Sequence, residues 1–80
     1  MFNLKVVSPK RVVFEDAVNK VWVDGDDSEY EFMSFHANCI GYLRPGKVVI
    51  NEKFSIPIKQ GCVRFFENEC LILIEEVDTN

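Results

Sequence analysis

Alanine is nearly missing from this 80-residue chain, Ala17 and Ala37 being the only two, whereas Val, Ile and Phe recur throughout. That bias, with no stretch patterned as an amphipathic helix, predicts an all-β fold. The four glycines, Gly25, Gly41, Gly46 and Gly61, stand apart from one another and open no helix, which excludes a phosphate-cradling loop and independent nucleotide binding. Cys39, Cys62 and Cys70 are odd in number and lack framework or Cys-x-x-Cys spacing, so neither a disulfide scaffold nor a zinc knuckle is expected. Free thiols of a reducing compartment, acting as small buried hydrophobes, remain. No apolar run approaches the roughly 20 residues that span a bilayer, and Met1–Pro9 lacks the charged segment and apolar core of a secretory signal. Any membrane contact is therefore expected through partners.

Basic residues are also few, 9 Lys plus Arg against 13 Asp plus Glu, for a formal net charge of −4. Without a basic stripe to neutralise phosphates, nucleic acid is not an expected partner. Eighty residues make one domain, 1–80, and a chain this short buries only about 60 to 65% of its unfolded surface. Such marginal stability suits a subunit supported by a partner.

Phe54, Ile56 and Ile58 alternate with Lys53, Ser55, Pro57 and Lys59, the period-2 pattern of a half-buried strand. Pro57 has no N–H to donate, which predicts an edge strand or a position turned outward. Leu71-Ile-Leu-Ile74 does not alternate and reads as a strand covered on both faces, by a second sheet or by a partner. Turn signals fall at Ser8-Pro9-Lys10, Asp24-Gly25-Asp26-Asp27, Arg44-Pro45-Gly46, Asn51-Glu52, Gln60-Gly61 and Glu67-Asn68-Glu69. Their spacing predicts a small antiparallel β-sandwich of about nine or ten strands.

Chemistry-bearing residues are sparse. Cys39 lies three positions from the only histidine, His36; on a single strand the two would face opposite ways, against a Cys-His nucleophile. The acidic run from Asp24 to Glu29 lacks the ligand spacing of a calcium loop and reads as a solvated turn. Neither a catalytic residue, a metal ligand set nor a cofactor is implied. What remains is His36 with Phe35, Ile40, Tyr42, Leu43 and the Arg44-Pro45-Gly46 corner, residue types that anchor protein interfaces or fill a core.

The order of the short motifs is more specific than any one of them. Glu29, then His36-Ala37, then Pro45-Gly46 resembles the signature Gly-Glu-x-Gly-x-x-Pro-Gly-His-Ala-Pro followed by Lys-Pro-Gly of the epsilon subunit of rotary ATP synthases. Leu4-Lys-Val-Val-Ser-Pro9, Val13-Phe14, Gln60-Gly61-Cys-Val63, Leu71–Ile74 and Asp78-Thr79 resemble further stretches of that family, so the likeness runs the whole chain. Ser34-Phe35 replace the Pro-Gly before the histidine, Asn38 replaces the next proline, and Gln60 replaces the first of two glycines.

The resemblance implies a sandwich without the C-terminal helical hairpin, since the chain stops at Asn80. It implies a non-catalytic central-stalk subunit that packs one broad face on the gamma subunit and meets the c-subunit ring with the loop around Glu29 and His36. Glu29, His36, Ala37, Tyr42, Arg44, Pro45 and Gly46 are the interface residues on that basis. The implied location is peripheral, on the cytoplasmic face of a bacterial inner membrane or the organelle equivalent. The alternative from another class is a free-standing β-sandwich adaptor that extends a strand near Pro57.

Overall fold

The computed structural model describes residues 1–77, so Asp78-Thr79 lies outside the described residues. Seven strands follow in chain order: β1 (Phe2–Val7), β2 (Val12–Val18), β3 (Val21–Gly25), β4 (Glu29–Phe32), β5 (Cys39–Ile50), β6 (Phe54–Phe66) and β7 (Glu69–Glu76). They form one continuous sheet of order β2-β1-β7-β6-β5-β3-β4. No helix occurs among the described residues.

This sheet closes on itself. Adjacent strands lie about 4.8 Å apart, and β4 is three strands from β6, yet the ring of Phe32 on β4 stacks 5.3 Å from that of Phe65 on β6. Phe2 of β1 meets the same ring edge-on at 5.3 Å. A flat sheet cannot bring these rings together; a sheet folded over into two layers does. One layer holds β2, β1, β7, the second half of β6 and the first half of β5. The other holds the first half of β6, the second half of β5, β3 and β4.

The fold-over is encoded as a change of phase in the alternating pattern. On β5 the buried residues are Gly41 and Leu43, then Val48 and Ile50; on β6 they are Ile58, then Val63 and Phe65. Odd and even positions exchange across 44–47 on one strand and 59–62 on the other. Both irregularities appear in the pairing, as a shift between Val23 and Gly25 where β3 meets β5 and another between Ile58 and Gln60 where β6 meets β7. An extra residue in a ladder bends its strand, and here the bends carry β5 and β6 from one layer to the other.

Arg44-Pro45-Gly46 and Gln60-Gly61, expected as turns, are therefore bends inside long strands. Counting β5 and β6 once in each layer gives nine strand segments from seven strands. A second difference is the β1–β7 pair, which is parallel within an otherwise antiparallel sheet; the intervening chain supplies the long crossover that parallel neighbours need. Pro57 pairs with Lys47 and lies beyond the end of β7, so this part of β6 is an edge among the described residues. The Asn51-Glu52 and Glu67-Asn68 turns are as expected, each with both residues at positive φ.

Leu4, Val6, Val21, Val23, Phe32, Ile50, Phe65 and Ile72 fill the space between the layers, each stabilising the fold by roughly 1.5–3 kcal/mol on burial. Ser8, in the β1–β2 turn, accepts hydrogen bonds from the backbone N–H of Lys10 and Arg11 and donates one to Glu76 Oε2 at 2.8 Å. Arg11 pairs with Glu76 Oε1 at 2.6 Å, fastening that turn to the end of β7.

Gly61 shows why one glycine is kept. A Cβ there would run into the Leu73 carbonyl oxygen and lie 3.2 Å from Ile74 Cα, backbone atoms that cannot swing aside. Gly61→Ala is expected to destabilise the domain by about 1–3 kcal/mol, read from the urea midpoint. Gly46→Ala, whose nearest neighbours would be 3.7 Å away, should stay within about 0.5 kcal/mol of wild type.

The hydrogen bond from Arg11, then that from Ser8, holds the Glu76 carboxyl below its ordinary pKa. A depressed carboxylate contributes stability above its unfolded pKa and loses it as pH falls through the folded one. Glu76→Gln should therefore lower the thermal midpoint near pH 7, and the gap from wild type should close on titration toward about pH 3.

Candidate functional site

The fold distributes the candidate residues over two ends and one face. At the bend end, Glu29 opens β4 opposite Asp24 and accepts a hydrogen bond from the Trp22 indole N–H at 3.2 Å. Arg44 Nε lies 3.8 Å from Asp24 Oδ2, and Pro45 and Gly46 are exposed beside it. The backbone N–H of Asp26 donates to the Tyr42 carbonyl at 3.0 Å, tying the acidic β3–β4 turn to β5.

His36 and Ala37 belong to the opposite end. Glu29 and Phe32 are three residues apart on an extended strand, about 10 Å, and the His36 ring packs beyond Phe32, edge-on to it at 4.8 Å and to Phe65 at 5.4 Å. Its Nδ1 lies 2.7 Å from the Ala37 carbonyl oxygen. Glu29 and His36, read in the sequence as parts of one loop, are separated by β4, because the segment between them is a strand paired with β3.

The turn carrying His36 is closed by its N–H donating to Met33 O at 3.1 Å and is stapled to the β6–β7 hairpin. Phe35 N–H donates to Asn68 Oδ1 at 2.8 Å, and Glu67 N–H donates to Asn38 Oδ1 at 2.9 Å. Asn38, which stands where the family pattern has proline, thus supplies an acceptor that proline lacks. Phe35, where the pattern has glycine, takes a positive φ of 65°.

Tyr42 points outward from β5 together with Ile40, both 72% exposed. Across the same layer the register aligns Val12, Val7, Leu73, Cys62 and Tyr42 in one row of neighbouring strands, with Glu15, Lys5, Leu71, Arg64 and Ile40 in the next. Leu73 is 46% exposed while Ile72 and Ile74 are buried. The Leu71–Ile74 run is covered on only one face, the second layer of the sheet supplying that cover. Along the row lies a shallow groove lined by Val7, Tyr42, Cys62 and Leu73 and bordered by Pro9, Asp26 and Glu75.

No signal in the chain singled out Leu73, Cys62 or Val12, although the unalternated Leu71–Ile74 run carried half of that information. The fastening roles of Asn38 and Asn68 were likewise not legible, since the partners they bind are distant in sequence.

Reactive chemistry finds little support in this geometry. Cys39 pairs with Phe65 in the ladder, and the His36 ring packs edge-on to that phenylalanine. Burial nevertheless pushes the Cys39 thiol up, and burial followed by the charge of Cys39 pushes Cys70 up to about 12. A nucleophilic cysteine needs the reverse. Among the described residues no group of three or more His, Cys, Asp or Glu is placed to hold a metal ion.

Residues 1–79 match the family model described as ATP synthase, Delta/Epsilon chain, beta-sandwich domain. An ATP synthase epsilon chain of Nitratiruptor is 32% identical over 77 residues, covering 91% of this chain and 60% of its own length. One of Chlorobium limicola is 29% identical over 80 residues, covering 95% and 91%. The chain spans about three-fifths of the length of most of these curated relatives. Among solved structures, one of the Tetrahymena thermophila mitochondrial ATP synthase central stalk and c-ring matches with a TM-score of 0.80 at 13% identity, over 92% of this chain and 63% of that one; this likeness shows the fold. With the whole two-layer sheet inside the family match, the chain belongs to the ATP synthase delta/epsilon family as its β-sandwich domain.

Proposed function

We propose that this chain is a non-catalytic rotor subunit of the central stalk of a proton-translocating ATP synthase, joining the gamma subunit to the membrane ring and passing torque between them. The observation that carries the reading is the uncovered apolar face of the larger layer, where Ile40, Tyr42 and Leu73 stand in water within a domain of this family. A contiguous apolar surface of this kind marks a protein contact.

Torque transfer asks for a stiff body with separate surfaces for its two neighbours. The two-layer sheet, bound together by stacked aromatics, supplies the stiffness, and the opposed ends supply the separation. On this reading the face bearing Tyr42 packs on gamma. The bend end, with Glu29, Arg44, Pro45 and Gly46, meets the water-exposed rim of the ring, and His36 and Ala37 close the far end beside gamma. The chain contributes no active site and binds the coupling membrane peripherally, through its partners, on the side that faces the cytoplasm in a bacterium.

The test is co-purification with the cognate, folded gamma subunit. Wild type should form a stable complex, and Tyr42→Asp with Leu73→Asp should weaken it at least about tenfold while the circular dichroism of the free domain is unchanged. Glu29→Ala with Arg44→Ala should keep gamma and lose the ring. Failure of the wild-type chain to bind folded gamma would overturn the stalk reading in favour of a free-standing adaptor.

A further inference from the structure

Among the described residues five other than glycine adopt positive φ, and four of them are explained: Asn51 with Glu52, and Glu67 with Asn68, form the tips of the β5–β6 and β6–β7 hairpins, which demand that conformation. Phe35 is the exception. It sits at φ 65° outside any hairpin tip, in a region that disfavours a side chain with a Cβ and disfavours an aromatic residue further.

Its ring gains nothing from the fold in return, since Phe35 is 87% exposed, the largest exposure among the big apolar side chains. The fold nonetheless holds it firmly. Asn68 accepts from its backbone N–H, the turn behind it is closed by His36 N–H on Met33 O, and Asn38 fixes the following residues to Glu67. An aromatic ring in water, held by a strained but well-fastened backbone, costs stability in the free domain and signals use elsewhere.

We infer that Phe35 is a specificity knob that inserts into an apolar hollow on the gamma subunit, an inference that rests on the stalk reading and names its contact. Two observations fix the occupant. First, the corner is continuous with the apolar face assigned to gamma: Phe66 lies two residues from Arg64 on the same side of β6, Arg64 pairs with Ile40, and the Tyr42 row follows. Asn68 also binds the Met1 carbonyl, which brings the exposed Met1 to the same corner, and Met33 is exposed in the turn itself. Second, the hairpin beneath the knob presents the exposed carboxylates Glu67 and Glu69, so the receiving surface is an apolar hollow with a basic rim. Such a rim would make the contact sensitive to salt.

Phe35→Gly separates this role from a structural one. Glycine adopts positive φ without the penalty, so the variant should melt at a higher temperature than wild type while binding the cognate gamma subunit at least about tenfold more weakly. Phe35→Tyr should keep the wild-type affinity, and wild-type binding should weaken as salt rises from about 50 to 500 mM. Binding by Phe35→Gly as tight as wild type would overturn the inference and leave the stalk reading standing. A lowered melting temperature would also overturn it, because Phe35 would then be packing for the fold. If the wild-type chain does not bind gamma at all, both readings fall together.

Discussion

The stack of Phe32 on Phe65 is the contact on which the remaining architecture depends. A single sheet of seven strands presents two faces and, among the described residues, has no helix to cover either, so it builds a core by folding one part of itself over another. The rings of β4 and β6 meet across that fold. Closure requires β5 and β6 to leave one layer and enter the other, which in turn requires the irregular pairing at 44–47 and 59–60. Each bend needs its own chemistry. Gly61 lets β6 approach the Leu73 carbonyl, and the Ser8, Arg11 and Glu76 network fastens the β1–β2 turn where the chain passes the end of β7.

Folding over hides one face of each layer and leaves the other outside. In the smaller layer the outer residues are largely polar or paired, Lys20 with Glu52 at 2.7 Å and Trp22 with Glu29 among them. In the larger layer they include Ile40, Tyr42 and Leu73. The asymmetry separates a solvated side from one that is unfinished without a partner. Of the three thiols only Cys70 is buried, while Cys62 lies along the outer row beside Tyr42 and Leu73.

Strain has the same uneven distribution. Glu52 and Glu67 take a left-handed backbone because the tight hairpin tips demand it, and the strands on either side compensate. Phe35 has no strand to compensate it. Around it lie three of the positions where this chain departs from the family pattern, Ser34-Phe35 and Asn38, together with Asn68, whose side chain accepts from the Phe35 N–H. Two hydrogen bonds, Phe35 N–H to Asn68 and Glu67 N–H to Asn38, tie this corner to the β6–β7 hairpin.

Strand content, the hairpin tips and the position of Pro57 beyond a neighbouring strand were legible in the sequence because they rest on local rules: period-2 alternation, turn residues and the missing proline N–H. The order of short motifs carried the family as well. The bends, the parallel β1–β7 pair and the separation of Glu29 from His36 were not legible. A Pro-Gly or Gln-Gly pair looks the same whether it ends a strand or bends one, and only pairing with distant strands decides between them. The outer face escaped for a related reason: Leu71 and Leu73 look like core residues until the second layer is in place and covers Ile72 and Ile74 alone. Local backbone preference is a property of the residue and its neighbours, whereas which face stays in water is settled by the closure of the whole sheet.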